Sequence, residues 1–224
     1  MRILQYFISM PKTIIFNFKV FPFKVATKLP VLISNKVKIS KLHKNCIHIN
    51  STVSRFMIRI NFDEGSEGIN CSSNGQGYFS VKEEGQIIFN GKASFASGIS
   101  IRVDKGKLNI GKNFSANKNC LLSCTENITI GDDVLVGWNV NLRDADGHSI
   151  FKLDDNSITN NNNSVSIGNH VWIASNVDIL KGTLIPNNCI IGYRSCLNKK
   201  FYNANCIIAG YPGKVLREGV NWIK

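Results

Sequence analysis

Aliphatic residues recur every six positions through the second half of this 224-residue chain, and a six-residue period admits few folds. Ile110, Ala116 and Leu122 stand six apart, and after an eight-residue step Ile130, Val136 and Leu142 repeat the spacing. Ile167, Ile173, Ile179, Ile185, Ile191 and Leu197 then continue it without a break. An amphipathic helix repeats at 3.6 residues and a half-buried strand at two, so neither alone produces this pattern. Short flat strands of about one hexad, joined by tight corners, do produce it, and three hexads close a triangular coil of about 18 residues. Stacked coils share a narrow core that no single repeat could bury. Gly111, Gly131, Gly137, Gly168 and Gly192 each directly follow a repeat aliphatic, with Ala174 in the same place, so glycine is expected to relieve the backbone at the corners. Phe89, Phe95 and Ile101 carry a fainter version, which puts the first coils upstream of Ile110.

Composition narrows the classes further. A chain with 43% hydrophobic and 19% charged residues is globular, and no apolar stretch approaches the roughly 20 residues of a membrane-spanning helix. The brief apolar run at Met1–Met10 stops at Pro11-Lys12 with no small-residue cleavage site after it, so no secretory signal is expected. Seven cysteines, an odd number without a C-x-x-C pair, argue against a disulfide framework or a zinc ribbon and fit a reducing cytoplasm. The net charge of +12 is uneven: residues 1–60 hold 11 Lys/Arg and no Asp or Glu, while the rest of the chain is near balance. Any polyanion or membrane contact therefore belongs to the N-terminal segment. Three regions follow: a basic aromatic segment at 1–30, irregular early coils at 31–85, and the repeat domain at 86–224.

Between Leu142 and Ile167 the period fails, and a solenoid accommodates such an insert as a loop from one corner, here 143–166. The insert reads Arg143-Asp-Ala-Asp-Gly-His148-Ser, then a polar run ending Asn160 to Asn163. His148 stands at the root of the loop, close to Asp144 and Asp146. Imidazole, with an unperturbed pKa of about 6.5, suits a base that takes a hydroxyl proton near neutral pH. Either aspartate could hold the ring in its useful tautomer, and either could equally be a turn-former. Cys120 and Cys124 fall inside the repeats and are expected to be small core residues rather than nucleophiles.

The hexads, together with Ile167-Gly-Asn-His-Val-Trp172-Ile-Ala-Ser175 and the terminal Ile208-Ala-Gly-Tyr-Pro-Gly-Lys-Val-Leu-Arg217-Glu, resemble the hexapeptide-repeat acyltransferases over residues 86 to 224. Within them the chain is most similar to the maltose and galactoside O-acetyltransferase branch and its relatives in surface-polysaccharide gene clusters. The resemblance implies an all-β fold, a left-handed parallel β-helix with an extruded loop and a short C-terminal helix, assembled as a homotrimer with active sites between neighbouring coils. It implies acetyl-CoA as acyl donor, a sugar or glycan hydroxyl as acceptor, and no metal. His148 is then the catalytic base, Asn117 and Asp146 complete the catalytic set, and Trp172 and Asp144 stand on the substrate side. Contacts to coenzyme A fall to Ala174 and Ser175 along its arm and to Lys199, Lys214 and Arg217 at its phosphates. Two departures bear on the substrates. The acidic pair with which the sugar transferases bind acceptor hydroxyls is replaced in Ser123-Cys124-Thr125, and Tyr193-Arg194 stands where two small residues usually flank the arm of coenzyme A.

Residues 1–30 interleave cations with Tyr6, Phe7, Phe16, Phe18, Phe21 and Phe23, a mixture suited to peripheral contact with the inner face of a membrane. Charge without a recognition motif gives no expectation of nucleic acid. Other readings stay open: N-acetylation of an amino sugar, and a non-catalytic β-helix scaffold. A metal-dependent hydratase needs three converging histidines, whereas only His148 and His170 lie in the repeats.

Overall fold

The structure, a computed structural model, describes residues 2–62, 75–82 and 84–223. Residues 63–74 and Glu83, inside the expected early coils, and Cys71 with them, lie outside the described residues. The hexads form the three faces of a parallel β-helix. The first face runs from Val31–Ile33 through Phe114–Ala116 and Trp172–Ile173 to Cys206–Gly210. The second runs from Val37–Ile39 to Cys196–Leu197, and the third from Ile47–Ile49 to Leu184–Ile185. The fold class is the all-β, left-handed parallel β-helix.

Register turns the period into a core. Ile33, Ile60, Phe95, Ala116, Val136, Ile173, Ile191 and Ile208 pair in succession up the first face, all buried. Phe79, Ile101, Leu122, Leu142, Ile179 and Leu197 do the same on the second face. Burying one such side chain is worth about 1.5–3 kcal/mol, and the columns merge into one cluster from Phe16 to Ile208. In the unbroken block Trp172 pairs with Ile190, eighteen residues on.

The corners differ from the expectation about glycine. The residue three after most of the repeat aliphatics takes the left-handed conformation, and it is seldom glycine: Asn113, Asp133, Asn139, His170, Asn176, Asn188 and Arg194 all have φ between 53° and 58°. Asparagine tolerates this region because its short side chain bonds locally. The glycines that follow the aliphatics serve stacking instead. A Cβ on Gly137 would come within 2.7 Å of the Ala174 carbonyl carbon and the Ser175 nitrogen in the next coil.

Both ends of the stack are covered. Helix α1 (Arg2–Val20) lies along the edge of the first strand, Val31–Ile33, whose peptide groups would otherwise stand unpaired. Its fully buried Ser9, Thr13 and Asn17, four apart on one side, take the place of a strand. Asn17 Nδ2 donates to Val31 O at 2.7 Å and Asn17 Oδ1 accepts from Val31 N at 3.1 Å, while Thr13 Oγ1 makes the same pair of bonds with Ile33. At the other end the short C-terminal helix is replaced by a β-hairpin, Cys206–Gly210 against Gly213–Glu218. Gly210-Tyr-Pro-Gly213 reverses the chain there, with Gly210 at φ 109°, and the returning strand completes the edge of the first face.

Candidate active site

The loop leaves the corner between the second and third faces and is anchored by its aspartates. Asp144 is fully buried, and its carboxylate oxygens accept from the backbone N–H of Thr125 at 2.7 Å and Glu126 at 2.9 Å, closing the corner of the coil below. A carboxylate buried completely at this corner offers no surface to an acceptor, so the substrate-side role expected for Asp144 gives way to a structural one. Asp146 makes no hydrogen bond to the imidazole among the described residues. It accepts from Lys181 Nζ and from Asn160 Nδ2, which also donates to the His148 carbonyl at 2.8 Å. The bond from Lys181, followed by that from Asn160, holds the Asp146 carboxyl below the usual carboxylate range. Asp146 thus pins the loop root and shapes the backbone on which His148 is carried, rather than orienting its ring. Beyond this pin, Phe151 and Ile158 bridge an antiparallel excursion whose apolar Leu153 is 94% exposed.

His148 itself is exposed, and it borders an open groove of about 400 Å³ lined by Arg102, Asp104, Thr125, Ser149 and Asn160. The groove continues over the second face past Tyr78, Ser123 and Arg143. Arg102, Ser123 and Arg143 are outward neighbours on three successive coils. Arg102 donates to both oxygens of Asp104 at 2.9 and 2.7 Å, and Lys82 stands 3.2 Å from the same carboxylate. Desolvation opposes the charge of Asp104, yet these two cations outweigh it and keep its carboxyl below the usual range. Thr125 and Ser123 therefore line a groove flanked by guanidinium groups. Cys124 between them points inward, and burial, reinforced by Asp144, drives its thiol upward; burial pushes Cys120 up to about 12. Neither is a thiolate nucleophile.

The remaining candidates gather elsewhere on the coil. Asn117 sits half-buried at the corner between the first and second faces, the same corner that carries Ala174 and Ser175 two coils on. Here the Ala174 amide is committed to Ile191 O at 2.9 Å and that of Asn176 to Trp138 O at 2.8 Å. Ser175 Oγ accepts from the Trp138 amide at 3.1 Å, and the Ser175 N–H has no acceptor among the described residues. Trp172 projects from the first face, 40% exposed. Lys214 and Arg217 lie exposed on the final strand of this face, whereas exposed Lys199 stands at the corner between the second and third faces, its ammonium 5.5 Å from the Phe201 ring. Arg194 lies over the neighbouring Tyr193 ring at 5.5 Å. Asn117, Trp172, Ala174, Ser175, Lys214 and Arg217 thus occupy the first face and its leading corner, and His148 occupies the next corner.

Several residues at the site carry no motif of their own. Lys181 and Asn160 join the loop root only through folding. Arg102 likewise becomes a wall of the groove only through folding. Trp222 packs its ring on His170 at 4.4 Å and donates from Nε1 to the His170 carbonyl at 2.9 Å, and it stands 6.1 Å from Trp172. The terminal segment thereby closes one side of the surface around Trp172.

Comparison with known proteins agrees with this fold. No family model matches the chain. A provisionally named lipopolysaccharide biosynthesis O-acetyl transferase of Escherichia coli K12 is 29% identical over 150 residues, covering 62% of this chain and 74% of that protein. The galactoside O-acetyltransferase of the same strain is 37% identical over 111 residues, 50% of this chain and 54% of that enzyme. The chain thus spans about three quarters of the first curated relative and about half of the second. Among solved structures, a polysialic acid-specific acetyltransferase superposes with a TM-score of 0.55 at 21% identity, over 87% of this chain and 78% of that one, and shares its fold. Coil and repeat define a hexapeptide-repeat protein. The relatives it matches are O-acetyltransferases by name, and the chain is similar to them over the repeat region.

Proposed function

We propose that this protein transfers an acetyl group from acetyl-CoA to a hydroxyl of a sugar in a surface-glycan precursor, working in the cytoplasm as a homotrimer. The observation that carries the reading is the division of the site: an exposed histidine over a polar groove at one corner, and an uncommitted backbone amide at another, on the face that also carries Trp172, Lys214 and Arg217. The names of the relatives support the reaction class. Two prisms packed side by side bring the two corners together across the contact, which a single prism does not. The acceptor lies in the groove beside Thr125 and Ser123, and His148 takes its hydroxyl proton as the oxygen attacks the thioester carbonyl. The Ser175 N–H faces the oxygen that becomes negative, and Asn117 adds a second donor. Collapse of the tetrahedral species expels the coenzyme A thiolate, which recovers the proton from His148. Both substrates are bound together, so no covalent enzyme intermediate forms. Lys214 and Arg217 meet the phosphates of the donor, and Lys199 adds charge from the neighbouring subunit.

Mixed assemblies test this division. His148→Ala and Asn117→Ala alone are each expected to lose activity at least about tenfold, as for removal of one acid–base or oxyanion group. Co-assembled in equal amounts, they should recover about one quarter of wild-type activity, because a quarter of the shared sites then hold both intact residues. No recovery in verified mixed trimers would show that the site is built within one chain and overturn the division.

A further inference from the structure

The outward side of α1 is the least explained surface of the molecule. The side that faces the coil carries Ser9, Thr13, Phe16, Asn17 and Val20, all buried. The opposite side is wholly apolar: Leu4, Phe7, Ile8, Ile14, Ile15 and Phe18 are all exposed, Phe7 by 72% and Ile15 by 68%, and Phe23 continues the patch from the following helix α2 (Phe23–Ala26). With exposed Pro11 between Ile8 and Ile14, these positions fall three and four apart, which lines them along one side of a 19-residue helix about 28 Å long. A soluble surface seldom leaves such a contiguous strip uncovered. Hydrogen bonds between coils run along the stack axis, and α1 bonds to the outer edge of the first strand. The apolar strip therefore forms the end of the prism and points away from the coils and from both catalytic corners.

Charge selects what covers it. Lys19, Lys24 and Lys28, on α1 and the segment that follows it, are exposed beside the strip, and the first acidic residue of the chain is Asp63. A second copy docked here end to end would oppose cations with cations, whereas an anionic phospholipid surface offers hydrocarbon to the strip and phosphates to the lysines. No described helix is long and apolar enough to cross a membrane, so α1 has the character of a helix that lies in the interface. We propose that the outward face of α1 docks the protein on an anionic bilayer, standing the β-helix on its first coil with the acceptor groove raised along its side.

Sedimentation of the full-length protein with vesicles tests this. Binding to vesicles with about one third phosphatidylglycerol should exceed binding to pure phosphatidylcholine at least about tenfold, and added salt should weaken it. The triple variant Phe7→Ser, Ile15→Ser, Phe18→Ser changes only outward residues and should lose vesicle binding at least about tenfold while keeping its thermal midpoint and oligomeric size. Lys24→Glu with Lys28→Glu should weaken binding to anionic vesicles and leave the weak binding to neutral ones unchanged. Equal binding to both lipids, no binding at low salt, or undiminished binding by the triple variant would overturn the proposal. So would a wild type that is larger than the triple variant in lipid-free solution, which would make a second copy the occupant.

Discussion

Asp144 offers the sharpest distinction between a residue that builds the site and one that works in it. Replacement by Asn preserves shape but exchanges one acceptor oxygen for an NH₂ group. In the native arrangement both carboxylate oxygens accept backbone N–H groups, Thr125 at 2.7 Å and Glu126 at 2.9 Å, with no exposure to water. Hydrogen bonds to a charged group contribute about 1.5–3 kcal/mol each, and a buried donor left without an acceptor costs about 1–3 kcal/mol. Asp144→Asn keeps one weakened bond and sets a donor against the other amide, so it should destabilise the protein by about 2–4 kcal/mol. Urea unfolding of both proteins at one fixed concentration measures this, since association contributes to the stability of an oligomer. Amide exchange at Thr125 and Glu126 should quicken in the variant. Unchanged stability, within about 0.5 kcal/mol, together with protected Thr125 and Glu126 amides would refute the reasoning, and a raised acceptor KM alone would restore Asp144 to the substrate side.

Other substitutions probe the same frame. Gly137→Ala drives a methyl group into the Ala174–Ser175 peptide and should cost about 1–3 kcal/mol in urea unfolding, with loss of coenzyme A affinity because the Ser175 amide moves. The carboxyl of Asp146 is lowered in the folded protein, so the stabilisation it lends the loop is full above the ordinary carboxylate range and is lost as pH falls through its depressed value. Asp146→Asn should reproduce the low-pH state at pH 7, seen as faster exchange of the loop amides between Ser149 and Asn162, with the melting temperature of the coils unchanged. The six described cysteines are buried, and those assigned to the core should resist a thiol reagent in the native protein and react on unfolding; rapid labelling of Cys120 or Cys124 would contradict the inward placement.

The parts of the fold that repeat were legible in the sequence, because burial in a stacked coil acts on each hexad alike. All twelve aliphatics of the six-residue pattern are core residues. The parts that occur once were not. Ser9, Thr13 and Asn17 read as polar residues scattered through an aromatic segment, and only the unpaired edge of Val31–Ile33 explains their spacing of four. Glycine was credited with the corner strain that asparagine bears, since one hexad viewed alone hides the backbone of the next coil against which Gly137 is pressed. At the C-terminus, the short helix that the resemblance implies gives way to a strand, because the free edge of Cys206–Gly210 pairs with Gly213–Glu218. The loop histidine was visible from its place at the break in the period. The partners of Asp144 and Asp146 were not, because Thr125 and Lys181 reach them from coils far along the chain.

Acetyl-CoA turnover by wild type beside His148→Ala, read as release of free coenzyme A thiol with a parallel measurement of binding, tests the central claim most directly. Both proteins should bind acetyl-CoA, and release, including the slow hydrolysis without acceptor, should fall about 10²–10⁴-fold in the variant, the range expected for loss of a general base. Equal release by the two proteins would remove His148 from the chemistry, and failure of the wild type to bind acetyl-CoA would contradict the acyl-transfer account itself.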